Sequence, residues 1–179
     1  MNKKNTSSRV DRDAVLKARA ILLAREIDDK RTEAEFTDVV EFMITDESYG
    51  IELKFTREIY PLKEITPLPA SPAFISGIVN VRGEIVSVVD IKKFFDLPDT
   101  ETHAKPHLII LENENMTFGL LADRIVGMGR IDKTRLQGAL PTMTGIREDY
   151  LIGVAKGRMA LLDGGRLLTD KKMHIDMAS

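Results

Sequence analysis

Three histidines, His103, His107 and His174, make up the whole imidazole supply of this 179-residue chain, and it contains no cysteine. The pair His103-x3-His107 has the spacing of some zinc sites. No third ligand follows at useful spacing, however, and the surroundings read as a loop entering a strand. Gly127-Met128-Gly129-Arg130 lacks the third glycine and the βαβ setting of a dinucleotide site, and no phosphate-cradling G-x-x-x-x-G-K-[ST] occurs. Ser71, Ser76 and Ser87 lie outside any G-x-S-x-G elbow. Acidic residues are abundant, yet no pair is singled out as an acid/base couple. The missing cysteines remove disulfides, thiol nucleophiles and iron–sulfur clusters together and suit a reducing compartment. The residues therefore predict no catalytic centre, no metal and no cofactor.

One charged residue is harder to dismiss. In Asn80-Val81-Arg82-Gly83-Glu84, Gly83 suits a tight hairpin that needs a positive φ, and Asn80 can hydrogen-bond the backbone beside it. An arginine at such a strand end presents a fixed guanidinium fork to a partner's carboxylate. The alternative is an ordinary solvated surface charge.

The elements that would position Arg82 are mostly strands. Alternation predicts strands over 36–44, 49–55 and 58–65, a loop punctuated by Pro67, Pro69 and Pro72, and a hairpin of 74–81 with 85–89. A short helical turn over 91–95 and a polar boundary over 99–105 follow. The second half repeats this order, with strands over 107–111, 116–122 and 124–128 and a closing hairpin of 151–155 with 158–162. Three landmarks carry the repeat. Tyr49-Gly50-Ile51 answers to Phe118-Gly119-Leu120, Phe74-Ile75-Ser76-Gly77-Ile78 to Tyr150-Leu151-Ile152-Gly153-Val154, and Val88-Val89-Asp90 to Leu161-Leu162-Asp163. The offsets are nearly equal, which points to a duplicated five-stranded unit. Short, turn-rich β units usually close into small barrels because closure removes exposed edges. The expected fold is mainly β, two five-stranded barrels packed together with a helix before them and short helical segments near the ends. The first barrel is expected mainly over 36–98 and the second mainly over 105–163, with strand exchange possible, and residues 171–179 form a tail.

Residues 1–35 differ in character, with nine Lys and Arg against seven Asp and Glu. Ser8-Arg9-Val10-Asp11 fits a capping box, and Leu16, Ala20, Leu23 and Ile27 recur at helical spacing, predicting an amphipathic helix over about 11–26. Its stripe must pack on something, either its own domain or a partner. The whole chain balances 26 basic against 28 acidic side chains, with a pI near 6.0. That charge opposes nucleic-acid binding, which needs clustered Lys and Arg. With no leader-like apolar start and no run long enough to insert in a membrane, the expectation is a soluble, cytoplasmic protein.

The stretch Asn80-Val81-Arg82-Gly83-Glu84-Ile85-Val86-Ser87-Val88-Val89-Asp90 resembles the signature of the CheW-like family, the chemotaxis coupling proteins and the regulatory domain of the histidine kinase CheA. The resemblance extends through Tyr49-Gly50-Ile51, Arg57-Glu58-Ile59 and Pro72 to Gly77. It continues through Phe118-Gly119-Leu120, Asp123-Arg124-Ile125, Tyr150 to Gly153 and Leu161-Leu162-Asp163, covering about residues 36–170 in family order. It implies two SH3-like barrels and a non-catalytic adaptor that ties methyl-accepting chemoreceptors to a CheA-type kinase. It further implies that receptor tip helices lie in a groove between the barrels. Thr56, Glu58 and Ile59 would sit on the first barrel, Gly77 and Arg82 by the signature turn, and Leu121 and Ala122 on the second. The kinase would meet another barrel face whose residues the resemblance does not assign here. Two features depart from the family: the 35-residue extension, and Thr56, where a bulkier aliphatic is common, so that receptor choice is open to change. An adaptor with a non-flagellar output shares this fold; a β-barrel enzyme or ligand sensor is the alternative from another class.

Overall fold

The computed structural model describes residues 35–98, 105–138 and 146–173. The chain divides into two compact units, Met1–Phe36 and Thr37–Ser179, and the helix expected over 11–26 lies outside the described residues. Ten strands carry the second unit: β1 (Phe36–Ile44), β2 (Glu47–Glu52), β3 (Thr56–Pro61), β4 (Ile75–Val81), β5 (Glu84–Val89), β6 (His107–Glu112), β7 (Thr117–Ala122), β8 (Arg124–Asp132), β9 (Leu151–Val154) and β10 (Ala160–Leu162). Three single-turn helices, α1 (Ile91–Phe94), α2 (Ile146–Asp149) and α3 (Gly164–Leu167), accompany them. The strand expected over 49–55 stops at Glu52, where a 3-10 turn over Leu53–Phe55 redirects the chain, and β3 accordingly starts earlier than expected.

The strands form two five-stranded sheets, ordered β8-β1-β2-β10-β9 and β3-β6-β7-β5-β4. A residue just past each sheet's first strand forms an isolated bridge to its last strand, Gln137 to Val154 of β9 in one and Thr66 to Ile78 of β4 in the other, which closes it into a barrel. Neither barrel comes from one half of the chain. The expected division into 36–98 and 105–163 does not describe the sheets: β1 and β2 join three strands of the second half, and β6 and β7 join three strands of the first. Replacing β1 to β5 by β6 to β10, and the reverse, converts one strand order into the other, so the duplication is a pseudo-two-fold with exchanged strands. The exchange rests on two parallel pairs in matching register, Tyr49 to Ala160 through Ile51 to Leu162, and Ser87 to Phe118 through Val89 to Leu120.

The physical reason lies in the burial of β5 and β10. Val88 and Val89, like Leu161 and Leu162, are fully buried although they point to opposite faces. Val88 fills the lumen of one barrel with Val79, Val81, Val86, Leu108 and Ile110, and Leu161 fills the other with Val39 and Met159. Val89 and Leu162 instead enter a larger shared core between the barrels, with Phe42, Tyr49, Ile109, Phe118 and Leu120. A strand apolar on both faces needs a barrel on one side and a second layer on the other. Repeated details follow the same symmetry. Asp90 and Asp163 each accept a helical backbone N–H, from Lys92 and Arg166, and each donates its own N–H to an aromatic residue's carbonyl, Phe74 at 2.7 Å and Tyr150 at 2.8 Å. Those two rings lie edge-on to Phe94 at the same 5.1 Å and 70°. Met173, assigned to a tail by sequence, is buried in the shared core.

Two buried carboxylates tie the layers. Asp123 accepts the backbone N–H of Thr45 at 2.7 Å and pairs with Lys92 Nζ at 3.2 Å, joining the β1–β2 turn to α1. Removing it strands a buried ammonium and an N–H at a residue held at φ 54°. Asp123→Ala is expected to cost about 3 kcal/mol in urea unfolding, with no comparable loss for an exposed control such as Lys156→Ala. Glu52 is 3% exposed and takes Lys133 Nζ at 2.6 Å, Lys54 Nζ at 3.2 Å and the Thr37 hydroxyl at 3.1 Å. Burial alone would raise its pKa, but the two ammonium groups and the hydroxyl together hold it below the ordinary 4.5. A lowered folded pKa stabilises fully above the unfolded value and is lost as pH falls through the folded one. Urea midpoints measured below about pH 4.5 should therefore fall less steeply with pH in Glu52→Gln than in the unsubstituted protein.

Candidate interaction surface

The β4–β5 hairpin carries the most distinctive local geometry. Val81 pairs with Glu84, leaving Arg82 and Gly83 as a two-residue loop with φ of 55° and 93°, a type I′ turn whose twist suits the flanking strands. The Gly83 N–H reaches Asn80 Oδ1 at 2.8 Å, the role expected of that asparagine. This turn holds the base of Arg82 still while its side chain stays 81% exposed.

Arg82 is not alone. Its Nη2 lies 3.1 Å from Glu58 Oε2 on β3. The other oxygen of Glu58 faces Arg57 Nε at 3.9 Å, and Arg57 Nη1 also meets Glu84 at 2.9 Å and Glu112 at 3.3 Å. The cause is a bulge: Thr56 opposes Leu111 and Glu58 opposes Ile110, so Arg57 is an extra residue on β3. A bulge re-aims the side chains beside it, and here two consecutive charged residues join one network spanning β3, the hairpin turn and the end of β6. Sequence reasoning found Glu58 and Arg82 but missed Arg57, Glu84 and Glu112. Arg57 and Glu84 stood in the quoted motifs, and only the bulge brings them together.

The other expected residues fall differently. Thr56 opens β3 with its Oγ1 buried and without a hydrogen-bond partner among the described residues. Ile59 packs half-buried against the shared core, and Leu121 against one barrel lumen. Ala122 is fully buried and offers no surface. Gly77 is also buried, and a Cβ there would lie 2.2 Å from the Thr66 carbonyl oxygen that closes the barrel. Leu121 and Ala122 do not lie on a second barrel: β7 belongs to the same sheet as β3, β4 and β5, so all seven residues sit on one. The exchanged strands are the reason.

Away from this face, a cavity of about 340 Å³ is lined by Asp149, Tyr150, Arg166, Thr169 and Asp170. Burial first, and then the hydrogen bond to Asp170, push the Tyr150 phenol up to about 12, so it stays protonated and donating. Among the described residues no three His, Cys, Asp or Glu side chains are grouped to hold a metal, and His103 lies outside them.

A family model of the CheW-like domain matches residues 38–172, most of the chain and all ten strands but the start of β1. The chain belongs to the CheW-like family. It is 28% identical over 143 residues to the chemotaxis protein CheW of Treponema pallidum, covering 76% of this chain and 84% of that one. It is 26% identical over 117 residues to the protein FrzA of Myxococcus xanthus, covering 64% and 71%. The crystal structure of the scaffolding protein CheW from Thermoanaerobacter tengcongensis superposes with a TM-score of 0.63 at 29% identity, over 70% of this chain and 83% of that one. The two closed sheets are the paired SH3-like barrels of this family, and the chain is a non-catalytic CheW-like scaffold protein of chemotaxis signalling. No described helix is long and apolar enough to cross a membrane.

Proposed function

We propose that this CheW-like protein couples chemoreceptor signalling tips to a CheA-type histidine kinase in the cytoplasm, and that the Glu58–Arg82 face takes part in receptor contact. The observation that carries the reading is the 3.1 Å pair between an exposed arginine on a rigid turn and a half-buried glutamate on β3. A fixed guanidinium beside half-buried Ile59 offers a receptor helix one oriented charge and an adjacent apolar surface, the elements of helix-in-groove recognition. The Arg57 network with Glu84 and Glu112 holds the Glu58 side of that pair in place. Of the seven residues implied by the resemblance, Glu58, Ile59 and Arg82 are proposed to contact partner. Thr56, Gly77, Leu121 and Ala122 support the surface from beneath.

A pull-down with a receptor signalling domain and a CheA-type kinase should recover a ternary complex. Recovery of neither partner would sink the reading. Amide shifts on titration with a receptor tip fragment should concentrate on β3 and the β4–β5 turn; shifts confined to the opposite sheet would move the contact elsewhere.

A further inference from the structure

On the face that carries Arg82, a second cation is shared by three carboxylates. Arg57 Nη1 meets Glu84 at 2.9 Å and Glu112 at 3.3 Å, and its Nε faces Glu58 at 3.9 Å. Arg57 is half-buried, whereas Glu84 and Glu112 are exposed. Among the described residues, Arg57 is the only cation that either of those two glutamates meets, and Glu58 is the only carboxylate that meets Arg82. The division of labour depends on the β3 bulge. In a regular strand, consecutive side chains point to opposite faces, and Arg57 and Glu58 would part. Here they stay together, so that two neighbouring ion pairs tie the hairpin to β3, Glu84 to Arg57 and Arg82 to Glu58.

The charges of this network nearly cancel, with two arginines against three glutamates. Without Arg57, Arg82 would face all three carboxylates as the one remaining cation of the network. Glu84 stands two residues after Arg82 in the same hairpin and pairs with Val81 across the turn. An exposed arginine on a flexible stem would then be drawn toward Glu84 as well as Glu58, and its guanidinium donors would be spent inside the protein. The unneutralised glutamates would also repel an incoming carboxylate. We propose that Arg57 is a positioning residue for Arg82. By neutralising Glu84 and Glu112, it leaves Arg82 with Glu58 as its one internal partner and with donors free for a carboxylate on the receptor helix. This rests on the receptor contact proposed above and deepens it, naming the residue that keeps the contact available and the charge that the partner brings.

Full-length Arg57→Gln should bind a receptor tip fragment about fivefold more weakly in titration calorimetry, although it leaves Arg82 in place. Adding Glu84→Gln should return the affinity to within about twofold of the parent, because it removes a carboxylate that Arg57 had neutralised. Both differences should shrink at high salt, since the groups involved are largely exposed. A readout on the free protein separates positioning from simple stabilisation. With isotope-labelled arginine, the Arg82 Nε–H signal, identified by its loss in Arg82→Lys, should shift in Arg57→Gln and return in the double variant. A purely structural Arg57 would lower the urea midpoint and leave that signal in place, which overturns the proposal. If Arg57→Gln does not fold, Arg57→Lys carries the same test. It keeps the charge but lacks the fork that spans several carboxylates, so a smaller loss should appear and again be reversed by Glu84→Gln. Parental affinity in the folded variant, or a loss that Glu84→Gln leaves unchanged, overturns the proposal, and the receptor contact still stands where Arg82→Glu weakens binding. If Arg82→Glu binds the fragment as the parent does, the receptor contact itself is wrong and this proposal falls with it.

Discussion

Arg82→Glu should lower receptor affinity about 30-fold or more, as measured by titration calorimetry with a receptor tip fragment, while the urea midpoint stays within about 0.5 kcal/mol of the parent. The affinity loss follows from reversing a charge at a recognition contact, an effect of about 2 kcal/mol or more. The small stability effect follows from exposure. The Arg82 side chain is 81% exposed, and ion pairs in that setting contribute about 0–1 kcal/mol. The turn itself survives the change, because Gly83 and Asn80 keep their roles and an unbranched glutamate meets the same φ of 55° that Arg82 does. Two companion variants separate causes. Arg82→Lys keeps the charge and loses the planar fork, so an intermediate loss identifies bidentate recognition. Glu58→Arg with Arg82→Glu rebuilds the internal pair in reverse. Failure of that swap to rescue shows that Arg82 meets the partner directly, and full rescue shows that the pair serves only to hold the turn. If Arg82→Glu unfolds the protein while its folded fraction still binds, the proposed contact is wrong.

Gly77→Ala should be the most damaging methyl addition on the same face, costing about 3 kcal/mol or more in urea unfolding. Two independent terms add here. The residue sits at φ 143°, which L side chains rarely adopt, and its Cβ would fall 2.2 Å from the Thr66 carbonyl oxygen and 2.8 Å from its carbon. Both are backbone atoms, and Thr66 is tied to Ile78 by two hydrogen bonds of 2.9 Å, so relief requires opening the barrel at its closure. Gly153 is the control supplied by the pseudo-symmetry. It follows the equivalent bulge, and a Cβ added there would lie 2.7 Å from the Gln137 carbonyl oxygen, but without the positive φ, so Gly153→Ala should destabilise less. Receptor affinity of the folded fraction should be unchanged in Gly77→Ala. A stable Gly77→Ala variant with weakened receptor binding would instead make Gly77 a contact residue.

Both predictions rest on features that were unequally visible in the sequence. The repeated landmarks were legible because each has a local cause. Gly77 and Gly153 follow matched bulges at a closing carbonyl, and Asp90 and Asp163 cap matched helical turns. Strand character was legible from alternation, except where Leu53–Phe55 turn as a 3-10 segment through residues that alternation alone reads as strand. Strand partnership was not legible. A duplicated unit pairs equally well within each half or across halves, and only the parallel registers of β5 with β7 and β10 with β2 decide it. That error carried into the site, placing Leu121 and Ala122 on the wrong barrel. Ala122 was also assigned a surface role that its position among buried apolar neighbours denies it. The ion network of Arg57 stayed hidden because it depends on one unpaired residue and on Glu112, more than fifty positions away.

The exchange of strands also sets the order of events during synthesis. Every sheet contains segments from both halves, and β10, which completes the barrel begun by β1 and β2, is the last of the ten described strands to leave the ribosome. Until it emerges, β2 lacks its parallel neighbour and Val40, Ile51 and Tyr49 have no completed layer to cover them. The first half of the chain therefore cannot settle into a finished barrel and wait for the second. Loop-closure entropy over most of the chain must be met before the largest core forms, a topology that slows folding and leaves apolar strands open to chaperones in the interval.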